Sequence, residues 1–392
     1  MKKKLSIAHI HWGFHPIIGG VETHLAILLP ELKKRGFKTS LLTNLAKRSK
    51  LIEKYRGIDI FRNPLMDLAW LSNKDLQRLN DDLFEMFHNF VEEVKPDIIH
   101  THNMNYFSVP HAKNLERVAK KAGIPLMVTA HNFWDDMLFI KLSNEIEWAH
   151  HIAVSRFIRR ELVGAGVDKS NISVIHHGID TKKFNPNVST AKTLKKRPEL
   201  KNRKIIFHPA RMGLNKGCDV SIKAIRHIIK EIPNALLVLA GSRNIIDWNN
   251  VQTDEISYFH KMIDFFGLSK NIYIDSYHLN EMPALYNIAD VCLYPSTAPE
   301  PFGLTMLESM ASSKPIIVTK MGGMPEIIND GVNGYLVRVR DFEAIAKRTV
   351  ELLQNDHLRE NMGKTGLAMV NNMYTKDLMI NKHIKVYRRV SG

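Results

Sequence analysis

The sequence predicts an α/β protein of two doubly wound parallel-sheet domains facing one another across a cleft. Three observations carry that expectation. Short apolar runs alternate along the chain with helical patterns, many of ten or more residues, the spacing that parallel strands with right-handed crossovers require. The alternation breaks once, over the basic stretch 176–204, and then restarts. At 392 residues and 44% hydrophobic, the chain also exceeds the roughly 250–300 residues at which a single core stops growing.

Taken in order, Leu5–Ile10 reads as the first strand and leads to Gly19-Gly20, which opens an amphipathic helix carrying Val21, Leu25, Leu28, Leu29 and Leu32 on one face and closed by Gly36. Strands follow at Thr39–Thr43, Asp97–His100, Leu126–Thr129 and Ile152–Val154, with helices at Asp81–Val94, Ala112–Ala122, Ile140–Trp148 and Ser155–Val163. The second half gives strands Ile205–Pro209, Ala235–Ala240, Ile272–Ile274, Val291–Tyr294, Pro315–Thr319 and Tyr335–Val337. Helices Asp219–Lys230, Ile256–Phe266, Met282–Ile288, Gly303–Ala311, one from Pro325, Phe342–Leu353 and Leu358–Val370 lie between and after them. This divides the chain into a first domain over 1–185, a linker over 186–204 and a second domain over 205–374. The closing helical pattern, 375–392, is expected to cross back to the first domain.

The formal charge of +15 favours anionic partners such as nucleotides, phospholipid head groups and nucleic acid, without choosing among them. Two cysteines, Cys218 and Cys292, provide neither a disulfide framework nor a metal-binding pair. The start MKKKLSIAHIHWGF is interrupted by His9 and His11, so it reads as a strand and not a signal peptide, and no apolar run approaches the roughly 18 residues of a membrane span. A cytoplasmic protein is expected, with peripheral contact at the inner membrane face through its basic surface.

The chemistry is expected around Ser296–Ala311. Proline-rich loop passes into helix at Gly303, and the first N–H groups of a helix, here Gly303, Leu304 and Thr305, form a seat for an anion. Glu300 precedes that seat and Glu308 follows it. On the loop leaving strand Ile205–Pro209, Arg211 and Lys216 provide two cations suited to a diphosphate. Neither a GxxxxGK[ST] loop nor a DxD pair is present, so charge neutralisation by side chains, with no metal and no cofactor, is expected. In the first domain Gly19-Gly20 at a helix start suits phosphate, and His131 follows a strand at its carboxyl end.

Together Gly19-Gly20, His131, Arg211 with Lys216 and the run EPFGLTMLE over 300–308 resemble glycosyltransferase family 4, retaining nucleotide-sugar enzymes of the Rossmann-like B-type fold. Smaller pieces agree: VSRFIRRELVGAGV at 154–167, HHGIDTKKFNP at 176–186, ALYNIADVCLYPS at 284–296, GGMPEII at 322–328 and DGVNGYLV at 330–337. The resemblance implies that a hexosyl group moves from a nucleotide sugar, UDP-linked, to a hydroxyl acceptor in glycan or glycoconjugate biosynthesis. It implies that Arg211 and Lys216 grip the diphosphate and that Gly303, Leu304 and Thr305 add N–H groups, with Phe302 in the same run. Gly20, beside Gly19, would approach from the other domain, Glu308 would bind the ribose, Glu300 the sugar, and His131 would lie near the sugar. Tyr277 and Met282 stand where base contacts fall, although Asp275-Ser276-Tyr277-His278 replaces a customary glycine. Among the aromatic and histidine residues of the first-domain loops, His15, His102, Trp134 and Asp135 are the acceptor candidates. Two other classes remain open, a phosphorylase or nucleotide-sugar epimerase of the same fold and a basic module for polyanions or membranes. Nucleic acid is not expected as a partner.

Overall fold

A computed structural model describes residues 4–392 apart from 48, 68–70, 72–73, 77, 134–135 and 243–250. Two compact units result, one of Met1–His177 with Lys376–Gly392 and one of Gly178–Thr375.

The first unit begins with β1 (Ser6–Ile10), α1 (Gly20–Lys34) and β2 (Lys38–Asn44), and continues through a hairpin of β3 (Ile52–Tyr55) and β4 (Ile58–Asn63). It proceeds through α2 (Asn80–Val94), β5 (Ile98–His102), α3 (Val109–Ala122), β6 (Leu126–Ala130), α4 (Met137–Glu145), β7 (His150–Ala153), α5 (Arg156–Gly164) and β8 (Ile172–Val174). The sheet runs β3-β4-β2-β1-β5-β6-β7-β8. Every pairing is parallel except that of β3 with β4. Strand order therefore reverses between β1 and β5, and the carboxyl ends of these two strands flank the crevice where such sheets take ligands. Helix α2 shows why the pattern folds: Leu83, Met86, Phe87, Phe90 and Val91 are buried at i, i+3, i+4, i+7 and i+8, one stripe laid on the sheet.

The second unit contains α6 (Ala191–Lys196), β9 (Lys204–Pro209), α7 (Cys218–Glu231), β10 (Ala235–Ser242), α8 (Val251–Phe265), β11 (Ile272–Tyr277), α9 (Met282–Ile288), β12 (Val291–Tyr294), α10 (Leu304–Ala311), β13 (Ile316–Thr319), β14 (Gly334–Val337), α11 (Phe342–Gln354) and α12 (Asp356–Met373). Its sheet is parallel in the order β11-β10-β9-β12-β13-β14, the 3-2-1-4-5-6 sequence of dinucleotide-binding folds, with its reversal between β9 and β12.

The last helix, α13 (Lys376–Val390), belongs to the first unit. Ile380 and Tyr387 are fully buried in one cluster with Ile7, Leu28, Leu32 and Ile98. Lys376 reaches Glu31 at 3.2 Å and Arg35 pairs with Asp377.

Three expectations need correction. The stretch 186–204 is no loose linker: it forms α6, and Arg197, only 4% exposed, bridges Asp275 at 3.1 Å and Glu281 at 3.2 Å within the second unit. Helix α4 starts at Met137, because the Asp136 carboxylate caps it by accepting from the Phe139 N–H at 2.8 Å. The helix expected from Pro325 is only a 3₁₀ turn, Met324–Glu326, and the following chain is held by Asn333, which donates to the Ile327 carbonyl and accepts from the Asn329 N–H.

Candidate functional site

In the second unit the loops leaving β9 and β12 emerge on either side of the strand-order reversal, and they are stitched together. The Ser296 hydroxyl and the Thr297 N–H both donate to the Asn215 carbonyl, at 2.9 and 3.0 Å. The Thr297 hydroxyl donates to the Leu214 carbonyl at 2.8 Å. Gly217, at φ +75, lies so close that a Cβ there would meet the Pro295 carbonyl oxygen at 1.9 Å. These contacts set Lys216 against the β12 side. Its ammonium lies 2.7 Å from Glu300 Oε2, and the same oxygen accepts from the Tyr294 hydroxyl at 2.8 Å. Burial pulls the Lys216 pKa down, but the Glu300 carboxylate and the Tyr294 hydroxyl outweigh it and hold the ammonium charged. Arg211, on the same loop, is exposed and has no ion pair among the described residues.

Glu300 is fixed from behind by the GGMPEII segment. The Gly323 N–H donates to the Glu300 carbonyl at 2.8 Å. Gly322, at φ +58, passes so near that a Cβ would come within 2.3 Å of that oxygen. Beyond Glu300, Gly303 takes φ +90 and turns the chain into α10, a conformation that glycine adopts without strain. Thr305 donates to the Pro209 carbonyl at 3.3 Å, which ties the start of α10 to the end of β9. One turn on, Glu308 Oε2 accepts from the Tyr286 hydroxyl at 2.7 Å. Burial raises the Glu308 carboxyl to about 7, against the opposing pull of Tyr286 and Lys183.

Among the other candidates here, Met282 is half-buried at the start of α9. Two others serve packing with their side chains. Phe302 is 1% exposed and lies edge-on to Tyr374. The Tyr277 ring is wholly buried under the Arg197 guanidinium, 4.4 Å from the ring centre, so the side chain is not displayed for stacking on a base.

In the first unit Gly20 is the first residue of α1, exposed, and a Cβ on it would meet nothing within 4 Å. Packing therefore does not explain the glycine. At Gly19 and Gly13 a Cβ would instead strike the buried Glu22 carboxylate, at 2.3 and 2.6 Å. His15 stacks on Tyr55, with ring centres 5.1 Å apart. Trp134 and Asp135 lie outside the described residues. His131, after β6, is 3% exposed. Its Nε2 lies 2.9 Å from His102 Nδ1, and its N–H donates to the Asn103 side chain at 2.7 Å.

His131 and His102 are two members of a larger buried cluster. His102 Nε2 lies 3.1 Å from His9 Nδ1, and His24 Nδ1 lies 3.0 Å from His177 Nδ1. His100 bonds the Tyr387 hydroxyl and Thr129 Oγ1 at 2.8 and 2.7 Å. Burial first, and neighbouring imidazoles second, hold His24, His100 and His102 and His131 well below the usual histidine range, and His9 and His177 at about 3. All are neutral at ordinary pH. One sequence signal pointed to part of this cluster: His9-x-His11 and His100-x-His102 alternate at the strand period, which puts each pair on one face of its strand. Tyr286, Tyr294, Lys183 and His24 carry no such local signal.

Comparison with known proteins agrees with both halves. Residues 18–183 match the family described as Glycosyltransferase Family 4, and residues 190–369 match Glycosyl transferases group 1. An uncharacterised glycosyltransferase of Methanocaldococcus jannaschii is 26% identical, with 98% of each chain covered. A glycosyltransferase of Rickettsia africae superposes with a TM-score of 0.83 at 22% identity, over 99% of this chain and 98% of that one. The Anabaena protein HepE, solved in complex with UDP-glucose, gives 0.81 at 18% identity, over 98% and 100%. The fold is thus the glycosyltransferase B type. Two Rossmann-like sheets with these sequence matches over most of their length lead to one assignment: the chain is an enzyme that belongs to the family 4, group 1 glycosyltransferases.

Proposed function

We propose that the protein transfers a hexosyl group from a UDP-sugar to a hydroxyl acceptor with retention of configuration and without a metal at the diphosphate. The observation that carries this reading is the fixed cation at the strand-order reversal. Lys216 is held charged beside Glu300 and Tyr294, and Arg211 on the same loop is exposed. Negative charge builds on the departing nucleotide as the glycosidic bond breaks, and cations already in place stabilise it more than the ground state. The N–H groups of Gly303, Leu304 and Thr305 act in the same sense. Glu300 binds the sugar hydroxyls and Glu308 the ribose. The crystallised complex of HepE with UDP-glucose supports UDP as the nucleotide. No carboxylate is assigned as a nucleophile, so attack comes from the face that the leaving phosphate vacates, and a phosphate oxygen takes the acceptor's proton.

The test is UDP release from UDP-sugars by purified protein, with and without chelator. Lys216→Ala should cost about 3–4 kcal/mol of barrier, or roughly 10²–10³-fold in kcat. Turnover that EDTA abolishes and Mg²⁺ restores would show that an ion, and not Lys216 with Arg211, neutralises the diphosphate.

A further inference from the structure

We infer that the histidine cluster of the first unit is a binding site for a transition-metal ion of the zinc class, held by His24, His102 and His131. The three come from separate elements, α1, the carboxyl end of β5 and the loop after β6. Each can place one ring nitrogen within 4.8 Å of those of the other two, and all three residues are buried.

Two of the three ligands are bonded as in an ordered metal site. A ligating histidine normally has its second ring nitrogen fixed by a neighbour. Here His24 Nδ1 meets His177 and His102 Nε2 meets His9. Keeping those bonds leaves His24 Nε2 and His102 Nδ1 for an ion, beside His131 Nε2. His24 Nε2, the nitrogen left for the ion, is buried with no hydrogen-bond partner among the described residues, a costly state that calls for an ion or water. A second triad, His9, His100 and His102, is less suited, because both ring nitrogens of His100 are already bonded.

The His102–His131 pair needs only a small adjustment, and His24 offers a ring nitrogen within 4.8 Å of both. With metal–nitrogen bonds of about 2.0–2.1 Å, tetrahedral ligands stand about 3.3–3.4 Å apart, so the 2.9 Å between His102 Nδ1 and His131 Nε2 opens by a few tenths of an ångström. One of those two nitrogens carries a proton in the metal-free cluster. On binding it moves to the other nitrogen of its own ring, and no net proton is released. Imidazole donors without a carboxylate select zinc, cobalt, nickel or copper over magnesium and calcium, which take oxygen. Three protein ligands leave a fourth position for water or another oxygen donor.

This inference does not rest on the donor-site reading, and Co²⁺ tests it without any turnover. Metal-free full-length protein titrated with Co²⁺ should bind one ion per chain with the strong visible absorption of four-coordinate cobalt, displaced by Zn²⁺ and not by Mg²⁺. His24→Gln and His102→Gln should abolish the band, while His260→Gln, at an exposed position, should leave it unchanged. His9→Gln, one bond removed, should weaken binding by about 10–100-fold. X-ray absorption of the zinc-loaded wild type should show three imidazole nitrogens at about 2.0 Å, which decides the matter even if a variant fails to fold. No band in the wild type, a band that survives in folded His24→Gln, or fewer than three imidazoles would overturn the site and leave a hydrogen-bonded core filled by water.

Discussion

The ionisation of Glu308 gives the most direct measure of the donor site. Burial raises its carboxyl to about 7, and the charged form is the one suited to accept from two ribose hydroxyls. A group with a raised pKa is ionised above that value and neutral below it, so nucleotide affinity should be full at alkaline pH and lost as pH falls through 7. The apparent Kd for UDP then rises about tenfold between about pH 8 and about pH 6. Tyr286 sharpens the test, because its hydroxyl, 2.7 Å from Oε2, favours the charged form. A hydrogen bond to a charge contributes about 1.5–3 kcal/mol, and one pKa unit corresponds to about 1.4 kcal/mol. Tyr286→Phe should therefore move the midpoint up by about one to two units without altering the affinity reached at high pH. Titration calorimetry with UDP across the pH series reads both numbers. A flat profile in the wild type, or a profile that persists in Glu308→Gln, would refute the assignment of Glu308 to the ribose.

Two further outcomes follow from contacts behind the site. Gly322→Ala puts a Cβ against the Glu300 carbonyl oxygen at φ +58; it should cost about 1–3 kcal/mol of stability and lower kcat by displacing Glu300, as denaturant titration and kinetics would show, and wild-type behaviour in both would contradict the support assigned to that glycine. Arg197→Ala strips Asp275 and Glu281 of their shared cation and should cost about 1.5–3 kcal/mol. Despite some burial, Glu281 is held at about 2 by the His278 N–H, then Lys196 and Arg197, so the wild type loses this contribution as pH falls from the ordinary carboxylate range towards 2, and acid unfolding of the variant should lack the part that Arg197 supplies.

Most strands were legible because a parallel strand is commonly a short apolar run between helices, and periodicity reports that directly; β8, of 3 residues, was too short to register. The edge hairpin was not: β3 alternates exposed and half-buried positions and carries little apolar signal, and β4, though it buries Ile58 and Ile60, alternates over only 6 residues. Segment 186–204 was misread for a physical reason: a surface rich in lysine has the same composition whether it is free or packed, and only the placement of Asp275 and Glu281, about 80 residues later, makes Arg197 a structural residue. The same distinction runs through the site. Lys216, Glu300 and Glu308 stood out because charged residues at strand ends and helix starts have few structural uses. Their partners Tyr294, Tyr286 and Gly322 become visible only when strand order brings separate loops together. Tyr277 failed in the other direction, since nothing in DSYH reveals that its ring turns inward beneath Arg197.

The placement of α13 has a consequence for biosynthesis. Residues up to His177 leave the ribosome first, yet the hydrophobic seat formed by Ile7, Leu28, Leu32 and Ile98 waits for Ile380 and Tyr387, and His100 lacks its hydroxyl partner until Tyr387 emerges. Residues 178–375 are contiguous and can close their own core in the meantime. The half of the molecule that is translated first is therefore completed last. Until then it presents an open apolar groove, which a nascent chain must keep from other chains for nearly the whole of synthesis.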